Sequence, residues 1–240
     1  METERINIQY DAPHKKDGRF SIGLSSHEVL DRAIYDLESS IPDHDYIVSN
    51  YQADRRDSNL DNQTGYLAEH YAREGLKELL CAYSDSSGGN VFVHVDPMPD
   101  TVLQAGGYIF GIDAHSGNNI VLNEFNQTTA EYDGVFAIET VSDTGENDVL
   151  IVVLESKLQV PRLPRKKGAH HVKRYVDKKL EPLRTLFNTD RCAFVMTTCK
   201  SNKVTRNQMR FMKALKEMGG KITTLGVHRS ELEALAASYL

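Results

Sequence analysis

The run Val149-Leu-Ile-Val-Val-Leu154 constrains this chain more than any other segment. Six consecutive aliphatic side chains leave no polar face for water, so the run reads as a buried strand. It is far too short to cross a bilayer, which takes about 20 apolar residues as a helix. The run passes directly into Glu155-Ser156-Lys157, so a buried strand ends in charges of opposite sign.

The elements around it define a fold class. Residues 26–39 predict a helix: Ser25 or Ser26 can cap it, and Val29, Ala33, Ile34 and Leu37 form one stripe. Residues 40–63 are polar and contain Pro42, which makes them a connection and the best candidate boundary. A second helix follows over 64–80, with Ala68, Ala72, Leu76 and Leu79 facing the core and Glu69 at the edge of that face. A carboxylate there must reach water or meet a partner at the core rim. Strand patterning then marks 91–95, 108–113, 120–125, 135–138 and 149–154, separated by Gly, Asn, Asp and Ser turns. After Pro161 and Pro164 comes a helix starting near Gly168, with Val172, Val176 and Leu180 inward and Pro182 kinking it or starting a new turn. A strand over 192–198 leads to a helix over 204–218 with Met209, Met212, Leu215 and Met218 on one side. Residues 221–227 and 230–239 give a last strand and helix. The order predicts an α/β fold, a mixed sheet flanked by helices, with an antiparallel meander first and a crossover later. Residues 1–63 form an N-terminal arm with one helix, and 64–240 the core domain.

The net charge of −6 is misleading as an average. Residues 1–156 carry nine Lys and Arg against 28 Asp and Glu, a balance of −19; residues 157–221 carry 18 against four, a balance of +14. The basic segment is an electrostatic footprint for a polyanion, set against the plainer reading of a solvated helix face. Its candidate contacts are Arg162, Arg165, Lys166, Lys167, His170, His171, Lys173 and Arg174, which would hold a nucleic-acid backbone through its phosphates. The acidic surplus before residue 150 points to a protein partner or to an adaptation to salt. The first ten residues lack an apolar leader, and Cys81, Cys192 and Cys199 lack C-x-x-C spacing, so a reducing cytoplasm is expected. Gly106-Gly107 lacks the lysine of a P-loop, which disfavours a nucleotide cofactor.

Chemistry concentrates on Asp133, Glu155 and Lys157, with Glu69 behind them. Side chains alternate along a strand, so Glu155 and Lys157 share a face. Asp133 opens the preceding strand, and a short hairpin returns the chain towards Glu155. Two carboxylates so placed repel each other unless a cation lies between them, and oxygen-only ligands select hard ions such as Mg²⁺ or Mn²⁺. A neighbouring lysine can hold a water and stabilise charge developing on a phosphate. The alternative is an ordinary surface ion pair at a strand end.

At these residues the chain resembles the PD-(D/E)xK superfamily, the restriction-endonuclease-like nucleases that include many restriction enzymes, Holliday-junction resolvases and repair nucleases. The likeness spans residues 64–227. Gly65-Tyr-Leu-Ala-Glu69-His-Tyr-Ala is similar to the first core helix, Glu131-Tyr-Asp133 to the acidic motif of the second strand, and Val149 to Lys157 to the E-x-K strand. No proline precedes Asp133, as in many members, and 91–125 exceeds the core and reads as an inserted hairpin. The resemblance implies a Mg²⁺-dependent endonuclease acting on DNA, with Asp133 and Glu155 as metal ligands, Glu69 joining the metal site and Lys157 beside the attacking water. It also implies a homodimer. The competing expectation is a non-catalytic nucleic-acid-binding or assembly module on the same fold.

Overall fold

The computed structural model describes residues 24–39, 59–96, 103–113, 117–142, 145–200 and 204–238. In chain order they form α1 (Ser26–Ser39), α2 (Leu60–Ser86), β1 (Val91–Val95), β2 (Gln104–Ala105), β3 (Tyr108–Ile112), β4 (Asn119–Asn123), β5 (Thr128–Tyr132), β6 (Gly134–Val141), β7 (Asn147–Lys157), α3 (His170–Phe187), β8 (Cys192–Lys200), α4 (Arg206–Glu217), β9 (Lys221–His228) and α5 (Arg229–Ala237).

The aliphatic run lies at the centre of a five-stranded sheet of order β1-β6-β7-β8-β9. The β1–β6 and β6–β7 pairs are antiparallel, whereas the β7–β8 and β8–β9 pairs are parallel, so the sheet is mixed. The meander followed by crossovers is as expected, with α3 and α4 making the two parallel connections. Strand alternation sends Leu150, Val152 and Leu154 into one apolar layer with α1, α2 and α5. Ile151 and Val153 point into a second layer with α3, α4 and the remaining strands. Every residue of the run from Leu150 to Leu154 is buried, because both faces of the sheet are covered.

Several details differ from the sequence expectation for physical reasons. β1 pairs with β6 from Val91↔Thr140 to Val95↔Phe136, so residues 91–95 belong to the main sheet. The insertion is a separate antiparallel sheet of order β2-β3-β4-β5, larger than a hairpin. Its β2–β3 turn rests against α3, where a side chain at Gly106 would collide with Thr185. α2 begins at Leu60, because the Asn59 side chain accepts the Asp61 N–H at 2.9 Å and caps the helix there. The expected boundary at 63/64 therefore falls inside a helix. α1 buries Val29, Leu30, Ala33 and Leu37 in the same layer as α2, and Ser26 Oγ donates to Asp148 Oδ2 of β7 at 2.9 Å. The helix of the arm is thus part of the main core.

α3 runs continuously through Pro182. α4 buries Gln208, Phe211, Ala214 and Leu215, leaving Met209 53% exposed. At about 100° per residue, Met209 and Met218 stand roughly 180° apart, so an i, i+3 series drifts round the helix and cannot define its buried face. Among the described residues no helix is long and apolar enough to cross a membrane.

Candidate active site

The β6–β7 ladder ends at Gly134↔Leu154, and Asp133 continues it with its side chain. Asp133 Oδ2 accepts the Ser156 N–H at 2.6 Å, which anchors the carboxylate beside the end of β7. Glu155 and Lys157 project on the same side of β7, as alternation requires. Lys157 Nζ lies 2.6 Å from Glu155 Oε1 and 4.0 Å from Asp133 Oδ2, so the two carboxylates converge on one ammonium. Their residues are only 7% and 4% exposed, deep enough that uncompensated charge would be costly.

A second cation completes the cluster. Lys179 reaches in from α3 and pairs with Glu155 Oε2 at 2.7 Å. Its ammonium also donates to the Glu131 carbonyl and lies 5.5 Å from the centroid of the Tyr132 ring. Tyr132 in turn donates to the Lys179 carbonyl at 2.9 Å, clasping α3 to β5. Sequence reasoning did not bring Lys179 into the site, because it lies on a helix read as a basic surface for phosphate contacts. The available signal was its phase: it stands seven residues after Val172, about 20° away on the helix, within the buried sector.

These surroundings separate the two acids. Burial and the nearby Glu155 charge push the Asp133 carboxyl up to about 6, against the opposing pull of Lys157 and the Ser156 N–H. Burial also pushes Glu155 up, but Lys179 and Lys157 together draw it below the usual glutamate value. For Lys157, burial works against the charged form, and Asp133 and Glu155 more than offset it, with a further contribution from Glu69. Tyr175, from α3, has its phenol raised by burial and by Glu155.

Glu69 is half-buried on α2 and is felt by Lys157 as charge. Among the described residues no group of three or more His, Cys, Asp or Glu side chains converges as a metal cluster. The carboxylates brought together are therefore Asp133 and Glu155. As a donor set they fit a hard divalent ion: all oxygen, on one face, and already arranged around positive charge. Mg²⁺ commonly takes only one or two protein carboxylates and completes its shell with water and substrate phosphate.

All eight basic candidates from Arg162 to Arg174 are exposed, on the loop after β7 and the first turns of α3. The loop is held in place: Gln208 donates to the Val160 carbonyl at 3.0 Å, Leu163 N–H to the Asn207 carbonyl at 2.9 Å, and Arg210 to the Leu163 carbonyl at 3.3 Å. The rings of His170 and His171 lie tilted by 36° with centroids 4.2 Å apart, and Lys173 pairs with Asp177. A groove of about 550 Å³ runs between this face of α3 and the inserted sheet, lined by His170, Lys173, Arg174 and Lys178 opposite Tyr108 and Thr129. His94 is a strand-face residue, 3.9 Å from Glu139, with burial depressing its basicity.

No family model, no curated protein and no solved structure matches this chain.

Proposed function

We propose that the chain is a Mg²⁺-dependent endonuclease of the PD-(D/E)xK type, hydrolysing phosphodiester bonds in DNA. The observation that carries this reading is the convergence of two buried carboxylates from adjacent strands on Lys157, at the root of an exposed basic loop. Further support comes from the order of elements: α2 carrying Glu69, a hairpin carrying Asp133 and Glu155-Ser156-Lys157, and then a helix beginning in basic residues.

Asp133 and Glu155 hold the divalent ion, which when bound polarises the scissile phosphate and offsets the charge that develops on it. Lys157, half-exposed and drawn to the charged state, positions the attacking water in line with the leaving oxygen. Water adds to phosphorus as the P–O bond to the leaving group breaks, and the water's proton passes to solvent or to the departing oxygen. Arg162, Arg165, Lys166, Lys167, His170, His171, Lys173 and Arg174 supply backbone contacts that give affinity without sequence.

A second reading is favoured by Lys179. Two lysines and two carboxylates neutralise each other, which is also how a purely structural cluster binding α3 to the sheet would be built. The chain would then bind nucleic acid without cutting it. Incubating plasmid, linear, single-stranded and four-way-junction DNA with Mg²⁺ separates the two. The nuclease reading expects cleavage that EDTA stops and that Asp133→Ala or Lys157→Ala lowers by about 100-fold or more. Undiminished cleavage in either variant, or intact DNA with both Mg²⁺ and Mn²⁺, would overturn it.

A further inference from the structure

Lys157 and Lys179 cap both oxygens of Glu155, at 2.6 Å and 2.7 Å. With Asp133 present, the cluster contains two anions and two cations, so it has no net charge to offer a dication. A divalent ion taking Glu155 as a ligand must first evict one ammonium. Lys157 also approaches Asp133, whereas Lys179 contacts Glu155 alone among the two acids. Lys179 has somewhere else to go: it already touches the Glu131 carbonyl and the Tyr132 ring, neither of which belongs to the carboxylate pair. Its side chain is 17% exposed, on a helix whose outer face lines the basic groove.

We propose that Lys179 acts as an internal counter-ion that occupies Glu155 until nucleic acid arrives, so that divalent-ion binding is coupled to nucleic-acid binding. The inference rests on the nuclease reading and adds a positioning residue to it. A phosphate entering beside the cluster brings negative charge, which draws the Lys179 ammonium from Glu155 and restores the site's affinity for a dication. Coupling of this kind is reciprocal, so the ion must also tighten the nucleic acid. Without nucleic acid, the wild-type site is weak for divalent ions.

The test is a Mn²⁺ titration of the full chain, followed by the electron paramagnetic resonance signal of free Mn²⁺, with and without a duplex bearing phosphorothioate linkages. Wild type is expected to bind Mn²⁺ weakly alone and tightly with the duplex. Lys179→Met removes one unit of positive charge a few ångströms from the ion and should tighten binding without duplex on the order of 10–100-fold. It should gain little more when the duplex is added. Lys179→Gln keeps a donor for the Glu131 carbonyl and guards against a folding defect: it should behave like Lys179→Met, while Lys179→Arg should behave like wild type. Equal Mn²⁺ affinity in wild type, Lys179→Met and Lys179→Gln, with binding abolished in Asp133→Asn, overturns the counter-ion role and leaves the metal site standing. Tight binding by wild type without duplex does the same. Absence of Mn²⁺ binding in every variant, duplex included, overturns the nuclease reading itself.

Discussion

Leu150, Val152 and Leu154 point from β7 towards α1, α2 and α5, and the next residue on that side is Ser156. Ile151 and Val153 point towards α3 and α4, and the residues that follow them on that side are Glu155 and Lys157. The two faces are equally dry along the strand but end differently. On the first, Ser156 lies beside Thr197 of β8, both are fully covered, and neither hydroxyl has a hydrogen-bond partner among the described residues. On the second, each buried charge has a partner of opposite sign. An unsatisfied hydroxyl costs about 1–3 kcal/mol and is survivable, whereas an unpaired buried charge costs several times more. One face can therefore be altered residue by residue, and the other only as a set.

The largest effect should come from breaking that set. Glu155→Ala leaves the ammoniums of Lys157 and Lys179 facing each other without the carboxylate between them. Removing one partner of a buried pair costs about 3–5 kcal/mol, and a urea melt in EDTA should find a loss of that order. A loss under about 1 kcal/mol would show that water reaches the cluster and screens the two ammoniums. Leu154→Ala, one residue earlier and pointing to the opposite face, tests the apolar layer. Its side chain is fully buried against α2, so roughly 2–5 kcal/mol should be lost, with little change in the pH dependence of stability.

The pH dependence distinguishes the two acids of the charged face. The Asp133 carboxyl stands at about 6 in the fold against an ordinary 3.8, so its stabilising protonated state is complete below about pH 4 and lost as the pH rises through 6. Glu155 is displaced the other way, and its contribution is present above the ordinary 4.5 and lost as the pH falls through its lowered value. Thermal melts without divalent ions should therefore show Asp133→Asn gaining on wild type between about pH 4 and 6, since the amide still accepts the Ser156 N–H but never ionises. A constant difference across that window would remove Asp133 as the protonated member of the pair.

The same contrast explains what could be read from the sequence. Alternation along a strand is strictly local, so the facing of Glu155 and Lys157, and the approach of Asp133 across one hairpin, followed from residue spacing alone. Lys179 comes from across the α3 crossover, and nothing within 20 residues of Glu155 announces it; only its helical phase beside Val172 and Val176 does. The α4 stripe held only in part for a related reason, because three-residue spacing does not hold one helix face: Leu215 is buried as expected, but Met209 is exposed and Phe211 joins the buried sector. The stripe of α1 was visible, but a stripe does not say what covers it. Its place against α2 and β9 depends on contacts such as Lys221 with Asp31, 190 residues apart in the chain.

The smallest expected effect lies on the quiet face. Ser156→Ala deletes a buried hydroxyl that no described residue satisfies, while leaving in place the Ser156 backbone N–H that Asp133 accepts. The methyl of alanine fits the same buried space beside Thr197. Losing an unsatisfied polar group is neutral or stabilising, so the melt should shift upward by about 1 kcal/mol or not at all. Thr197→Val makes the same substitution on the neighbouring strand and should act alike. If Ser156→Ala instead lost more than about 1 kcal/mol, its hydroxyl would have a partner after all, an ordered water bridging it to Thr197 being the natural one. The apolar face would then end in a hydrated polar site. The double substitution decides between these cases, because two hydroxyls joined through one water lose it together and their effects cannot add.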